Sequence, residues 1–330
     1  MISKKLQEEI QKNIENKQQT ILFLNRRGYS TFIMCRDCGY TIKCKNCNIT
    51  MTYHLKQNKL KCHYCGYEEE PVTTCPECKG TNIRYFGTGT QKLEEEVKKL
   101  FSNATTIRMD VDTVTKKNSH EEILNKFKNE NIDILIGTQM VVKGHHFPKV
   151  SLVGVIAADS SLNIEDFRAN ERTFQILTQV AGRAGREELE GRVIIQTYNP
   201  DSIAVELAQK QDYKAFYESE IGIRKQLKYP PFCDIILIGL SGEKEQEVIK
   251  EAKKIHKYLK ERIITKKIGV LLYSPVPAPI DKIKNKYRYR MIIKCLYNNQ
   301  INELLEQTIK ANELKKDVRL SIEINPQNMM

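Results

Sequence analysis

Residues 132–159 read IDILIGTQMVVKGHHFPKVSLVGVIAAD, and two short apolar runs frame them, Ile132–Ile136 and Ser151–Ala157. Runs of this length, rich in Ile and Val and closed by small or polar residues, predict buried β-strands. Similar runs occur outward in both directions, at Thr20–Asn25, Ile83–Phe86, Thr106–Met109 and Arg192–Gln196. Helix-like stretches fall between them at Lys92–Phe101, Glu121–Asn129 and Glu171–Val180, and Lys4–Lys17 carries Leu6, Ile10 and Ile14 on one face. Strands alternating with helices predict an α/β fold with a parallel sheet. Open parallel sheets bind ligands outside the carboxyl ends of their strands. That rule singles out Gly137, Thr138 and Gln139 after the first run, continuing to Lys143, Gly144, His145 and His146, and Asp159 after the second.

After Asn199-Pro200 the pattern is helical through about Leu227, until Tyr229-Pro230-Pro231-Phe232 breaks it. The remainder alternates strand (Asp234–Leu240), helix (Lys244–Arg262), strand (Ile268–Tyr273), Pro-rich turn (Pro275–Pro279) and strand (Arg288–Leu296). A helix and a last strand, Leu320–Ile324, complete a small α+β unit. The expected domains are therefore 1–33 with 82–228, a cysteine-rich insertion at 34–81, and 229–330.

The 330 residues are 40% hydrophobic and 28% charged, which excludes a wholly disordered or fibrous chain. No apolar run approaches the ~18–20 residues that cross a bilayer. The first residues mix Lys, Gln and Glu with Ile and Leu and contain no signal-peptide apolar block, so the expected compartment is the cytoplasm. Thiols stay reduced there, and paired cysteines point to metal or catalysis. The formal charge is +12; eight metal-bound thiolates against two zinc ions would lower it by four, to about +8. The excess favours a polyanionic partner and no membrane.

Eight of the ten cysteines form four C-x-x-C pairs: Cys35/Cys38, Cys44/Cys47, Cys62/Cys65 and Cys75/Cys78. Two such knuckles complete a tetrahedral thiolate site, so two zinc ions are expected. A nested arrangement would join Cys35, Cys38, Cys75 and Cys78 at the base and Cys44, Cys47, Cys62 and Cys65 at the tip. Spacing alone leaves a sequential arrangement open. The segment has few aliphatic residues, and metal is expected to supply its folding energy. Four-thiolate zinc has no open position for catalysis. Cys233 and Cys295 stand alone in strand-like contexts and read as buried small hydrophobes.

A third polar cluster, Gln179-Val180-Ala181-Gly182-Arg183-Ala184-Gly185-Arg186, closes a helix. Paired arginines can project together into a cleft, where planar guanidinium groups suit phosphoryl oxygens. The plain alternative is surface salt bridging. Gln179–Arg186 resembles the last motif of superfamily 2 helicases, Q-x-x-G-R-x-G-R, and Gly137–Pro148 resembles the motif before it. With LFLNRRGY at Leu22–Tyr29, the four cysteine pairs and YPPF at Tyr229–Phe232, the chain resembles the C-terminal half of primosomal replication-restart helicases.

That resemblance implies a RecA-like second helicase lobe with an inserted two-zinc ribbon, paired in the nested way, and a small C-terminal α+β domain. It implies that Arg183 and Arg186 contact the γ-phosphate with Gln179 nearby. Gly137, Thr138, Gln139, Lys143, Gly144 and Asp159 would serve the nucleotide and couple it to strand contacts. The implied activity is ATP-dependent 3′–5′ unwinding at stalled or branched replication forks, in the bacterial cytoplasm at the nucleoid. Implied partners are forked and single-stranded DNA, single-stranded DNA-binding protein, other primosome proteins and a replicative helicase loader. No G-x-x-x-x-G-K-[ST] loop occurs in the 330 residues. The family places that loop in an earlier lobe, so ATP and Mg²⁺ are expected only together with it, and the chain alone is expected not to hydrolyse ATP. The competing reading is a non-catalytic, zinc-dependent DNA-binding module for primosome assembly.

Two basic stretches are candidate DNA contacts. Between Arg26 and Lys61 eight Lys or Arg residues face one acidic residue, Asp37, beside Tyr40, Tyr53 and Tyr64. Arg26 and Arg27 are singled out there. The second stretch is Lys282, Lys284, Lys286, Arg288, Arg290 and Lys294 with Tyr287 and Tyr289. Its plain alternative is the solvated face of an edge strand. Lys284, Lys286, Arg288 and Tyr289 are the expected contacts.

Overall fold

A computed structural model of the chain describes all residues except 25–31, 36, 39, 41, 46–50, 55–56, 63–66, 87–88, 111–118, 139–146, 159–160, 163–165, 185–189, 198, 313 and 330, and the side chains of 32, 34 and 84–86. The chain opens with helix α1 (Lys4–Glu15) and strand β1 (Gln19–Leu24). The cysteine-rich stretch contributes short strands: β2 (Phe32–Cys35), β3 (Thr52–His54), β4 (Lys59–Lys61), β5 (Glu68–Glu69) and β6 (Ile83–Phe86). Alternation then runs through α2 (Thr90–Leu100), β7 (Thr106–Met109), α3 (Ser119–Asn129), β8 (Ile134–Gly137), β9 (Val150–Ile156), α4 (Ala169–Ala181) and β10 (Arg192–Ile195). Helices α5 (Ile203–Gln209) and α6 (Tyr213–Gln226) follow. The C-terminal elements are β11 (Asp234–Gly242), α7 (Glu245–Thr265), β12 (Leu271–Leu272), β13 (Val276–Ile283), β14 (Lys286–Cys295), α8 (Asn299–Ala311) and β15 (Val318–Ile324).

Two compact units result. The first comprises Met1–Thr31, Gly87–Ile164 and Arg168–Glu218. Its sheet has the order β10-β9-β1-β8-β7, and every pair is parallel. Both faces are covered, which is why its strands read as continuous apolar runs. Alternate residues of β1 point to opposite sides: Ile21 and Phe23 pack with α3, α4 and α5, and Leu22 and Leu24 pack with α1 and α2. A Cβ at Gly154 would come within 2.8 Å of Leu22 Cδ2 and 3.0 Å of Leu6 Cδ1. That glycine lets α1 settle close on the sheet.

The sheet corrects one expectation. Ile83–Phe86 is a strand, but it pairs antiparallel with β2 at the root of the cysteine-rich stretch. An apolar run reveals a strand and not its partner.

The second unit comprises Phe32–Phe86, Glu165–Phe167 and Ser219–Met330, so it holds the cysteine-rich stretch together with the C-terminal elements. Its main sheet has the order β12-β14-β11-β15, with β13 also on β14. Helices α7 and α8 cover one face through Val248, Ala252, Ile255, Ile301 and Leu304. The expected Pro275–Pro279 turn is largely strand: β13 begins at Val276 and pairs with β14 across a register shift between Pro277 and Lys282. Proline is tolerated there because β13 is an edge strand. The basic strand β14 is interior, flanked by β11, β12 and β13, so it is not the edge strand of the plain alternative.

The cysteine-rich stretch also has more core than its composition suggests. Ile33, Ile42, Met51, Tyr53 and Leu60 are buried together with Cys44 and Cys62. Metal therefore does not carry its folding alone.

Candidate functional site

Cys35 ends β2, Cys38 follows in the next turn, and Cys75 and Cys78 lie in the turn before β6. Pairing of β2 with β6, in the register Cys35 to Ile83, brings these turns together. The four Sγ atoms lie within 4.8 Å of one another. Cys35 and Cys78 are 3.6 Å apart, as are Cys38 and Cys75. Four thiolates at Zn–S bonds of about 2.3 Å span tetrahedron edges of about 3.8 Å, so the donor set fits zinc in both chemistry and size. The outer cysteine pairs meet each other, as the nested arrangement requires.

Three of the four knuckles close in the same way. The N–H of Cys35 donates to Tyr40 O at 2.9 Å, that of Cys62 to Tyr67 O at 2.8 Å, and that of Cys75 to Gly80 O at 2.8 Å. Cys44 and Cys62 are buried in the apolar cluster, while Cys47 and Cys65 lie outside the described residues.

The electrostatics of the four thiols are split. The backbone bond from Tyr40 acts to lower Cys38, but desolvation and the neighbouring Cys78, Cys75 and Cys35 prevail and push it up to about 12. Desolvation acts to raise Cys75, but the backbone of Cys78 and Glu77 and the neighbouring thiols prevail and pull it down to about 7. Thiols this close resist joint ionisation unless a cation compensates them.

Asp37 was seen in the sequence only as the lone acid in a basic stretch. It accepts from Asn82 Nδ2 at 3.2 Å, tying the first knuckle to the segment after the fourth. A Cβ on Gly80 would collide with Asp37 Oδ2 and come within 3.3 Å of Cys78 Sγ.

In the first unit, Gly137 is the last residue of β8, paired with Phe23 of β1 and Met109 of β7. Thr138 is buried immediately beyond, at the expected carboxyl edge. Gln179 is exposed in the last turn of α4, and Arg183 is half-buried just past the C-cap Gly182. Gly182 has φ −67°, which any residue adopts, and a Cβ there would meet Thr178 O at an ordinary 3.6 Å. The arginine's placement therefore owes nothing to the glycine's freedom. Gln139, Lys143, Gly144, His145, His146, Asp159 and Arg186 lie outside the described residues.

One pair at the same edge was missed. Asp110, buried directly after β7, accepts from Thr90 Oγ1 at the start of α2, with Arg108 Nη1 at 3.6 Å. The available signal was an acid immediately following the run Thr106–Met109.

The second basic stretch is divided by the strand that carries it. Lys284 is exposed at the tip of the β13–β14 hairpin; it and Asn285 have φ of 50° and 62°, the positive values that a two-residue type I′ turn requires. Lys286 and Arg288 are half-buried on β14, and Arg288 Nη1 donates to Ile280 O at 3.3 Å. Tyr289 packs against the helix-covered core, and its hydroxyl donates to Glu245 Oε1 at 3.3 Å. Alternation along β14 thus takes its ring off the face that carries Lys286 and Arg288. Lys294 is no surface contact: it is 8% exposed, donates to Leu227 O at 2.9 Å and stands 3.5 Å over the Tyr229 ring. Burial lowers its pKa, with the neighbouring Cys233 acting in the opposite sense. Arg26 and Arg27 lie outside the described residues.

Three family models match successive parts of the chain. The Primosomal protein N C-terminal domain matches residues 225–327, the PriA DNA helicase Cys-rich region domain residues 44–69, and the Helicase conserved C-terminal domain residues 72–188. Replication restart protein PriA of Bacillus subtilis is 47% identical over 100% of this chain and 41% of its own length. PriA of Synechocystis sp. is 40% identical over 94% of this chain and 37% of its own length. PriA of Chlamydia trachomatis is 38% identical over 96% of this chain and 42% of its own length. The chain thus spans about two fifths of these relatives. With a helicase C-terminal lobe, a PriA-type cysteine ribbon and the primosomal C-terminal domain in one sequence, the chain belongs to the PriA family.

Proposed function

We propose that the chain is the second motor lobe, with its zinc ribbon and terminal domain, of an ATP-dependent 3′–5′ DNA helicase that acts at stalled or branched forks and assembles the primosome. The observation that carries this reading is Arg183 at the end of α4, within a parallel-sheet lobe that also presents Gly137 and Thr138 at its carboxyl edge. In this reading Arg183, joined by Arg186 and Gln179, steadies the γ-phosphate of ATP held by a first lobe. Gly137, Thr138, Gln139, Lys143, Gly144 and Asp159 line the nucleotide side. Cys35, Cys38, Cys75 and Cys78 hold one zinc, and Cys44, Cys47, Cys62 and Cys65 a second; the ions supply structural closure and no chemistry. Lys284, Lys286 and Arg288 contact DNA, with Arg26 and Arg27 on the first basic stretch. Further partners are single-stranded DNA-binding protein, primosome proteins and the helicase loader, in the bacterial cytoplasm. Among the described residues no helix is long and apolar enough to cross a membrane.

The lack of a phosphate loop in the 330 residues favours a second reading for the chain in isolation, a zinc-dependent DNA-binding module without ATPase activity. ATP hydrolysis with forked DNA, with and without a separately supplied first lobe, decides between them. Stimulation only when the lobe is added supports the motor reading. No stimulation, with DNA binding intact, supports the module.

A further inference from the structure

The two basic stretches, far apart in sequence, meet inside the second unit. Lys282 Nζ donates to the backbone carbonyl of Lys45 at 3.2 Å, across 237 positions. Next to it, Ile283 packs against the ribbon's own apolar cluster, in the company of Tyr40, Tyr67, Val72 and Ile83. An apolar side chain and a hydrogen bond thus help seat the hairpin tip on the ribbon.

The charge around this joint is mainly basic, with Glu69, which accepts from the Tyr67 hydroxyl at 3.1 Å, and Asp281, next to Lys282, as its acids beside Glu68. Lys43, Lys45 and Lys284 are exposed, with Lys282 and Lys286 half-buried beside them. Lys59 and Lys61 contribute less, because both pair with Glu68 at 3.7 and 2.7 Å. Each of two half-buried rings carries a lysine: Lys45 Nζ lies 4.4 Å from the centre of Tyr67, which packs on the ribbon's cluster, and Lys282 Nζ 4.8 Å from that of Tyr287, its cross-strand partner on the face of β14 opposite Lys286. Lys284 stands at the outermost point of the hairpin, held there by the turn's left-handed backbone at φ 50°.

We infer that the hairpin tip and the cysteine ribbon form one composite surface for single-stranded nucleic acid, assembled by insertion of Ile283. This deepens the DNA-binding reading above and rests on it. Ammonium groups interleaved with tyrosine rings match a flexible strand, which can lay phosphates on the lysines and stack bases on the rings. A stiff duplex offers only its phosphates to such a surface.

The test is binding of a fluorescein-labelled oligothymidylate to the full chain across a salt series. Replacing Lys45 and Lys284 together with alanine removes two phosphate contacts, and the log–log salt slope should fall by about 1.4. Ile283→Asp keeps every lysine but separates the two halves. It should lower affinity and slope as the lysine pair does, with zinc content unchanged; Lys282→Met, which leaves the apolar seat intact, should fall in between. If the lysine variant weakens binding while Ile283→Asp and Lys282→Met bind as the parent does, the joint is not functional and the inference fails, with the DNA-binding reading intact. If the lysine variant also binds as the parent does, that reading fails too. Tighter binding of a duplex of the same length overturns the assignment to single strands.

Discussion

Asn13 Oδ1 accepts a hydrogen bond from Ser151 Oγ at 3.1 Å, two buried side chains 138 positions apart. The same Asn13 donates through Nδ2 to Gln19 O and Thr20 Oγ1, each at 3.1 Å. One amide therefore fastens α1 to both β1 and β9. Asn13→Ala removes the buried donor to Gln19 O and Thr20 Oγ1, while Ser151 keeps Gln18 Oε1 at 2.7 Å as its acceptor, and should cost about 1–3 kcal/mol, read from urea denaturation. A loss of a few tenths would show that the apolar contacts of Leu6 and Ile10 suffice.

Gly80 lets Asp37 and Cys78 approach closely because it has no side chain. Gly80→Val would push the Asp37 carboxylate away from Asn82 and crowd Cys78 Sγ. Outer contacts of this kind are worth roughly 10–100-fold in metal affinity. Zinc should pass faster to a colorimetric chelator, while Asp37→Asn, which keeps the shape, should change release less. Equal release from Gly80→Val and the parent would mean that Asp37 has no part in holding the cluster.

Arg183→Ala tests the motor reading. With the first lobe supplied, it should reduce DNA-stimulated ATP hydrolysis by about 10³-fold or more while oligonucleotide binding stays unchanged. A parallel loss of binding would instead assign Arg183 to the DNA side.

Cys295 gives a pH signature. It is 4% exposed, and burial, with Asp234 and Cys233 adding to it, raises its thiol from 9.0 to about 11. The folded value exceeds the unfolded one, so the thiol's contribution to stability is complete below about pH 9 and is lost as pH rises toward about 11. Lys294, whose pKa is lowered, acts with the opposite sign in the alkaline range. Comparing the parent with Cys295→Ala cancels that background. The parent should lose more stability than the variant between these pH values in chemical denaturation; parallel losses would refute the assignment.

The parallel sheet was legible because its strands are buried on both faces and its helices carry apolar stripes. Gly137 and Thr138 could be placed because a strand's end fixes an edge. Partnership was harder to read: β6 joins β2, and β13 runs through its prolines, since neither pairing nor edge position is written in periodicity. The ribbon's core was missed because Ile33, Ile42, Met51 and Leu60 stand singly among cysteines and form a cluster only when folded. Lys294 and Tyr289 read as surface because composition does not tell which way a strand turns its side chains. The joint at Ile283 had no local signal at all.

The repeated closure at Cys35, Cys62 and Cys75 has a kinetic reading. Each knuckle completes its own short ring of backbone without reference to any distant cysteine. The two halves of the Cys35–Cys78 cluster can be shaped locally before they meet, with little chain entropy spent on either. What remains for an incoming ion is one search, the closure of the loop between the halves, and that cost grows only with the logarithm of the intervening length. The cysteine ribbon can therefore carry a long tip at little expense in the speed with which its base is sealed.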